Sequence, residues 1–494
     1  MNNTINRLII IGNGFDLAHG MKTKYKDFVN GYLRQRIESF DGENSEDLLI
    51  KIKYNGNIMQ PHRLLSDYRK YLKLKELNIG SRVESLQSEE KMLLNILYGK
   101  LHPNEWNEEK NEFTEEEVQE ILNDCAEEKE NEIHLTQGII QLIEEQGEYS
   151  VEYSPFFKKV YDEIEHKNWV DIEYTYYEYL CSLLKKLDLS DEEDVKKEVS
   201  KEIDELNEEM KFITKKLKEY LEKEDAKAKA EAEAEKNPAA DKEMILEIIK
   251  PFRHQEIAVS AEKYWEEFIA QRKMGPTSFS FDGLEFDTLT DKSKVYDKYI
   301  SDEDTVQSYD GTVHKLFPGK VFLLNFNYTT NSESSIISWL TGACHVKQLA
   351  HHIHGDLNDE NSIIIFGYGD DSDEMYKKLL DKNDNRFLEN DKTTKYMGSA
   401  KYRNFLGFIE SAPFQVCIMG HSCGISDKTL LSTIFQHENC VSIKPYFYES
   451  GDNDDYYEII KNISRCFDDK KLMRDRVVNK EYCEPLPQPA EDNE

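Results

Sequence analysis

Residues 8–20 read LIIIGNGFDLAHG, an apolar run that ends at two closely spaced glycines. Residues 8–11 are all large and aliphatic, which is typical of a strand buried on both faces of a parallel sheet. Gly12 and Gly14 permit a sharp turn after the strand and a close approach of the backbone to another group. The stretch predicts the first strand of an α/β fold.

Three later apolar runs, residues 321–324, 363–366 and 416–419, also stop at turns that carry polar side chains. The carboxyl ends of parallel strands share one edge of a sheet, where open α/β sheets bind their ligands. We therefore expect a parallel sheet in which residues 1–34 supply the first strand and a phosphate-loop segment, and residues 311–467 supply the remainder.

Residues 35–310 are rich in charged residues with helical periodicity, which predicts a large helical insertion. One part, residues 190–270, is expected to form a coiled-coil-like arm in which residues 244–249 and 257–269 return antiparallel along the same seam. The seam has apolar residues at alternating spacings of four and three: Val199, Ile203, Leu206, Met210, Ile213, Leu217 and Tyr220. Two interpretations stay open, a packed hairpin without chemistry and an arm that binds a partner or a second copy of the chain.

Composition and charge narrow the kinds of partner and the cellular location that we expect for this protein. The 494 residues carry a formal net charge of −34, which repels phosphate backbones and disfavours nucleic acid as a partner. Eight cysteines are scattered without a C-x-x-C pair, and no apolar run approaches the roughly 18 residues of a membrane span. We expect a cytoplasmic protein with no membrane partner and no metal, and an acidic disordered tail over residues 468–494.

Two turns after predicted strands carry candidate ligand-binding groups. Gly12 and Gly14 suit a nucleotide loop, although tight turns also use glycine for steric reasons alone. Asn325 and Asn327 have amide groups that could reach ribose hydroxyls or a water, and Asx-type turn chemistry is the alternative.

Two further turns carry histidines. In HHIHGDL, His352 and His354 have the spacing of a metal pair without a third ligand at a fixed distance, and a general base in a turn is the better fit. GHSCGISD, from Gly420 to Asp427, superficially resembles the nucleophile elbow of a serine hydrolase.

Taken in order, several elements resemble the AbiH family of bacterial phage abortive-infection proteins. They are GNGFDLAHGMKTKYKDF, NWVDIE, NFNYTT, HIHGD, IIIFGYG and GHSCGISD. Such sequences in turn resemble the sirtuin-like NAD-binding fold, a Rossmann-type parallel sheet. The resemblance covers about 35 residues at the start and about 120 from residue 311 onward.

The resemblance implies site residues. Asn327 matches the asparagine that holds the nicotinamide ribose and the catalytic water, and His354 matches the catalytic histidine. The positions implied to bind NAD are Gly12, Asn13, Gly14, Phe15 and Asp16 on the phosphate loop, Asp27 near the nicotinamide, and Gly420 and Ser422 toward the adenosine.

The chain also departs from sirtuins. Thr329 stands where many sirtuin-like sequences have aspartate, Val29 stands where sirtuins have arginine, and the zinc-binding cysteine quartet is missing. The last departure speaks against protein deacetylation. What the resemblance implies is an anti-phage NADase that hydrolyses NAD+ to nicotinamide and ADP-ribose, with a nucleotide- or ADP-ribose-binding sensor without turnover as the alternative.

The position of the insertion also suggests a control element. It leaves the sheet after the phosphate-loop segment and returns before the strand that precedes Asn327, so its root is expected near the ligand. Trp169 and Glu173 of NWVDIE are candidates for a lid over the cleft, with ordinary core packing as the alternative. A phage-derived trigger acting through the arm would fit this arrangement.

Overall fold

The computed structural model describes residues 4–39, 45–54, 149–167, 171–190, 192–234, 243–245, 247–248, 250–273, 305–307, 313–316, 318–330, 350–359, 361–451 and 453–488. The chain divides into two compact units, Met1–Lys24 with Asp171–Glu494, and Tyr25–Val170. Among the described helices, none combines the length and the apolar composition needed to cross a membrane.

The strands are β1 (Asn6–Ile11), β2 (Ser45–Glu46), β3 (Ile50–Tyr54), β4 (Tyr149–Tyr153), β5 (Thr305–Gln307), β6 (Val313–Lys315), β7 (Val321–Asn325), β8 (Ala350–His352), β9 (Phe414–Met419), β10 (Cys440–Tyr446), β11 (Glu449–Ser450) and β12 (Asn453–Asp454). The α-helices are α1 (Asn13–Ala18), α2 (Tyr25–Ser39), α3 (Pro155–Lys167), α4 (Ile172–Leu189), α5 (Glu193–Ala234), α6 (Glu262–Lys273), α7 (Glu374–Asp381), α8 (Lys392–Lys395), α9 (Lys401–Ser411), α10 (Lys428–Phe435), α11 (Tyr456–Arg465) and α12 (Lys470–Arg476). Short 3-10 helices lie at His254–Glu256, Val259–Ala261, Asn385–Leu388, Tyr396–Gly398, Ile425–Asp427 and Lys480–Tyr482.

Five parallel strands form the central sheet, in the order β10-β9-β1-β7-β8. Ile11 at the end of β1 lies beside Asn325 on one side and beside Met419 on the other. Counted along the chain, the first strand has the second and third on one side and the fourth and fifth on the other. The connections therefore reverse direction between β1 and β9, where ligand-binding crevices of open α/β sheets form.

The predicted α/β class with a parallel sheet is confirmed, and β1, β7 and β9 contain the predicted runs. The predicted strand at residues 363–366 is wrong, because this segment pairs with no strand. Its Ile365 amide instead donates to the carbonyl of His354. The strand that pairs with β7 at this edge is β8. Its two histidines interrupt the apolar pattern, so the sequence did not predict it as a strand.

The continuous apolar run of β1 reflects burial on both faces of the sheet. Leu8 and Ile10 pack in one apolar cluster, and Ile9 and Ile11 pack in a second cluster that includes Phe15. Because side chains alternate along a strand, a central strand covered on both faces needs apolar residues at every position.

The long helix α5 spans 42 residues, and its predicted seam is buried from Val199 to Leu217. The last buried position is Leu221 rather than Tyr220, whose hydroxyl donates to the carbonyl of Lys22. The seam packs against α4 and the 3-10 turn at Asn385–Leu388. The helix is therefore confirmed, but its neighbours differ from those expected.

The expected return of residues 244–269 along this seam is wrong. Met244, Ile245 and Ile248 pack instead with Ile9 and Ile11 of the sheet. Further along, Phe252 and Trp265 belong to a cluster with Ile5 and Val441. The predicted tip of the arm, Asn237-Pro238, lies outside the described residues. A role of the arm in partner binding stays a prediction.

The second unit contains an antiparallel sheet in the order β2-β3-β4, so the stretch at 35–310 is not purely helical. Within this unit Tyr32 of α2 donates to Asp47 at 2.8 Å, and its ring packs edge-on against Phe157 of α3. These strands alternate charged and apolar residues over only a few positions, which gave no apolar run to detect.

Residues 468–488 are packed, in contrast to the predicted disorder from 468 onward. Leu486 is buried in the cluster that covers Ile9, and Val477 forms a bridge with Ile443. Glu484 lies 2.6 Å from the buried ammonium of Lys444. This segment is ordered because it supplies an apolar and a charged partner to the sheet, while residues 489–494 lie outside the described residues.

Candidate functional site

Four loops meet at the carboxyl edge of the parallel sheet. Gly12 follows β1, Asn327 follows β7, His354 follows β8 and His421 follows β9. The ring of Phe326 lies between the two histidines, with centroids 5.1 Å from His354 and 4.3 Å from His421. The structure thus brings predicted residues from distant parts of the chain into one cluster.

The loops after β1 and β9 are in backbone contact. The amide of Gly14 donates to the carbonyl of Gly420 at 2.7 Å, and the amide of Gly12 donates to that of Met419 at 3.1 Å. A Cβ atom at Gly12 would lie 2.5 Å from Cα of His421. The glycines are therefore required sterically, and both amides have protein acceptors here. Phosphate binding by this loop stays a prediction.

The remaining predicted phosphate-loop residues have different environments. Asn13 is exposed, whereas Phe15 is buried in the core beside the sheet. Asp16 is also buried, and one of its carboxylate oxygens accepts a hydrogen bond from Thr329. Thr329, the position where the sequence departs from sirtuins, thus links the loop after β7 to α1.

Two further residues were predicted to bind NAD, Asp27 and Ser422. Asp27 lies in α2, within the other compact unit. Ser422 is exposed, and its carbonyl accepts a hydrogen bond from Asn462. Neither placement tests a role in binding NAD.

The two asparagines after β7 have separate roles in the structure. The Asn325 side chain accepts a hydrogen bond from the amide of Asn327 at 2.8 Å, which confirms the Asx-turn interpretation for Asn325. Asn327 donates from Nδ2 to the carbonyl of Gly12 at 3.0 Å. This bond joins the loops after β1 and β7.

His354 forms a pair with Asp427. Its Nε2 atom lies 3.3 Å from Oδ1 of Asp427 and 3.2 Å from the hydroxyl of Tyr396, and the histidine is almost fully buried. An ionised carboxylate only accepts hydrogen bonds, so we place the proton of the neutral imidazole on Nε2. Nδ1 then carries the lone pair of a base.

His421 lies on the other oxygen of Asp427, with Nε2 3.4 Å from Oδ2. Its Nδ1 accepts a hydrogen bond from the amide of Cys423 at 2.9 Å. Both ring nitrogens of His421 are therefore engaged, which leaves His354 as the better candidate for a base.

A buried ion pair adjoins these histidines. Lys392 lies 2.8 Å from Oδ1 of Asp427 and 3.0 Å from Oε1 of Glu173. Glu173 is in the first turn of α4 and also accepts a hydrogen bond from the amide of Gly367 at 2.8 Å. Glu173 thus lies within the cluster, while Trp169 of the same motif is outside the described residues.

Burial and neighbouring charges shift the pKa values of these groups in different directions. Burial and the charge of Lys392 lower the pKa of His354, so the imidazole is neutral at neutral pH. Burial opposes ionisation of Asp427, but Lys392 and His354 hold its pKa well below the usual range. Burial, reinforced by the Asp427 and Asp171 carboxylates, raises the pKa of Glu173 to about 7.

A family model described as bacteriophage abortive infection AbiH matches residues 8–448. The chain belongs to the AbiH family. This membership suggests a role in anti-phage abortive infection, and the match spans every residue of the cluster. No curated protein and no solved structure matches the chain.

Four cluster residues of this AbiH chain were not predicted as site residues: Lys392, Tyr396, His421 and Asp427. Asp427 ends the quoted GHSCGISD element, so its motif was a usable signal. Lys392 and Tyr396 lie in DKTTKY, which has no distinctive pattern. Their role follows only from their position in space.

The metal interpretation of the histidines gains no support among the described residues. None of their histidine, cysteine, aspartate and glutamate side chains forms a group of three that could hold an ion. His352 instead contacts the carbonyl of Asn327 through Nδ1 at 3.0 Å. A separate cavity of about 340 Å³, lined by Glu243, Glu247 and the 485–488 segment, is not part of this cluster.

Proposed function

We propose that this chain is an abortive-infection effector that hydrolyses NAD+ to nicotinamide and ADP-ribose at the carboxyl edge of its parallel sheet. The pairing of a neutral His354 with an ionised Asp427, in a buried site, is the observation that carries the proposal. The strand order supports it, because doubly wound sheets of this order bind dinucleotides at the reversal between β1 and β9.

The proposed reaction needs one base and an oriented sugar. Water attacks C1′ of the ribose as the bond to the nicotinamide nitrogen breaks, and nicotinamide leaves with the electron pair. His354 takes the proton of the water on Nδ1, and Asp427 stabilises the resulting imidazolium through Nε2. Asn327, next to Gly12, would orient the ribose and the water.

The direct test is incubation of the purified protein with NAD+, with nicotinamide and ADP-ribose measured by liquid chromatography. His354→Gln and Asn327→Ala should lower the rate at least about 100-fold, the usual contribution of a positioned base. His437→Gln is the matched control, because this histidine pairs with Glu410 through Nε2 and accepts a hydrogen bond from the amide of Asn439 at Nδ1. Full activity in both site variants would disprove the residue assignment.

A sensor that binds NAD+ or ADP-ribose without turnover is the second candidate. One observation favours it, since Nδ2 of Asn327, which would orient the ribose and the water, already donates to the carbonyl of Gly12. Calorimetry with each ligand, followed by product analysis after several hours, separates the two functions. Tight binding with no nicotinamide released would support the sensor and exclude the hydrolase.

Contacts of the long helix α5 with two loops of the site support control of the enzyme by this helix. Asp225 of α5 accepts hydrogen bonds from the amide of Thr330 and from Asn358, in the loops after β7 and β8. A phage-derived trigger that moves α5 would break both bonds. Asp225→Ala should therefore raise NAD+ loss in uninfected cells, whereas Asp194→Ala at the exposed start of α5 should not.

A further inference from the structure

The cluster contains a lysine that has no access to a ligand. Lys392 is 1% exposed, and its ammonium group contacts both oxygens of Glu173 and one oxygen of Asp427. An ammonium has three hydrogens to donate, and these two carboxylates occupy it. Lys392 is thus unsuited to bind a substrate phosphate, although it contacts the same oxygen of Asp427 as His354.

The two carboxylates explain how the lysine remains charged. Burial alone would lower the pKa of Lys392, but Asp427 and Glu173 raise it well above its ordinary value. Glu173 is fixed in turn by the amide of Gly367 and by its place in the first turn of α4, where the helix dipole favours a negative charge.

We propose that Lys392 and Glu173 are positioning residues, which act through Asp427 to hold His354 in one orientation and one tautomer. Lys392 and His354 share Oδ1 of Asp427, while His421 faces Oδ2. With the carboxylate fixed on three sides, His354 keeps its proton on Nε2 and its lone pair on Nδ1. The assignment of Nδ1 as the base rests on the proposed hydrolysis, but the coupling itself does not.

Charge coupling and the raised pKa of Glu173 give the two substitutions different signatures. Removing the cation by Lys392→Met leaves Asp427 uncompensated, so His354 should titrate at higher pH. The pKa of Glu173 is about 7, so its carboxyl is protonated at the lower pH where His354 titrates, and Glu173→Gln should leave that titration unchanged. Loosened packing would expose the imidazole in both variants and shift both titrations in the same direction.

The experiment is an NMR titration of the full-length protein with ¹⁵N-labelled histidine, in which His354→Gln assigns the resonance. Lys428→Met is the matched control, because Lys428 follows Asp427 in the chain but pairs with Asp370 at 2.9 Å. A shift of the His354 titration to higher pH in Lys392→Met, with none in Glu173→Gln or in the control, supports the proposal. An unchanged titration in Lys392→Met, or a matching shift in Glu173→Gln, overturns it.

Two further measures keep the test decisive. If Lys392→Met does not fold, Lys392→Gln replaces it, because it removes the same charge and keeps a polar group beside Asp427 and Glu173. The NMR readout needs no substrate, so it stands even if the wild-type protein does not cleave NAD+. If the protein does cleave NAD+, both variants should lower kcat and leave KM unchanged, because neither residue touches the substrate.

Discussion

The ammonium of Lys392 lies 2.8 Å from Oδ1 of Asp427, and both side chains are largely buried. Such a pair adds little to stability when it forms, because two charges must be removed from water. It is costly to break, because a buried charge is then left without its partner. The pair therefore marks a position where single substitutions have large effects.

Asp427→Asn should lower the free energy of unfolding by about 3 kcal/mol, since it leaves Lys392 with Glu173 as its remaining anionic partner. Urea denaturation followed by circular dichroism at pH 7 measures the loss. Asp454→Asn, which breaks the exposed pair with Lys480, should cost far less. Equal losses in the two variants would contradict a buried charge at Asp427.

Glu173 should make the protein less stable as pH rises. Burial raises its pKa from 4.5 to about 7, so the folded state holds the proton more tightly than the unfolded chain. Its contribution is full below pH 4.5 and is lost as pH rises through about 7, by on the order of 3 kcal/mol.

Urea denaturation of the wild type and Glu173→Gln between pH 5.5 and 8 tests this expectation. The stability of the wild type relative to the variant should fall across that range. A constant difference would mean that the carboxyl of Glu173 keeps an ordinary pKa.

Glu484 should have the opposite pH dependence. Burial opposes its ionisation, but Lys444 and Lys250 lower its pKa to about 2. Its contribution is therefore full above pH 4.5 and is lost as pH falls through about 2. Glu484→Gln should cost about 2 kcal/mol at pH 7, and calorimetric melting should show the cost shrinking in acid. Glu481→Gln, at an exposed position three residues earlier, should leave melting unchanged.

Gly12→Ala should destabilise the protein by about 1–3 kcal/mol, because the new methyl group would meet the backbone of His421. Gly407 in α9 is the matched control, since no atom lies within 4 Å of a Cβ placed there. Gly407→Ala should raise stability by up to about 1 kcal/mol through its higher helix propensity. A Gly12→Ala protein as stable as the wild type would refute the close approach of these loops.

Continuous apolar runs predict β1, β7 and β9 correctly, but the equally apolar run at residues 363–366 forms no strand. The prediction also fails for β10, where Lys444 and Pro445 interrupt the run. Lys444 is tolerated in a buried strand because Glu256 lies 2.7 Å away and Glu484 lies 2.6 Å away. Neither glutamate is adjacent to Lys444 in the sequence, so no local pattern predicts that the charge of this lysine is neutralised.

The same reasoning separates the predictable part of the site from the rest. Asn327 and His354 follow strands, and their positions at one sheet edge follow from the parallel arrangement. Glu173 and Lys392 are 219 positions apart, and each reaches the cluster from a helix that lies outside the sheet. A glutamate or a lysine in a charged segment is usually exposed to solvent. The pairing of Glu173 with Lys392 is therefore visible only in the structure.

The central place of β1 has a consequence for synthesis. Its neighbours β7 and β9 begin at Val321 and Phe414, so the first strand leaves the ribosome long before either partner exists. Pairing between strands so far apart in the sequence is slow, and it cannot begin until most of the chain has been synthesised. Unfinished or truncated products that end before Asp427 lack the carboxylate that joins His354, His421 and Lys392.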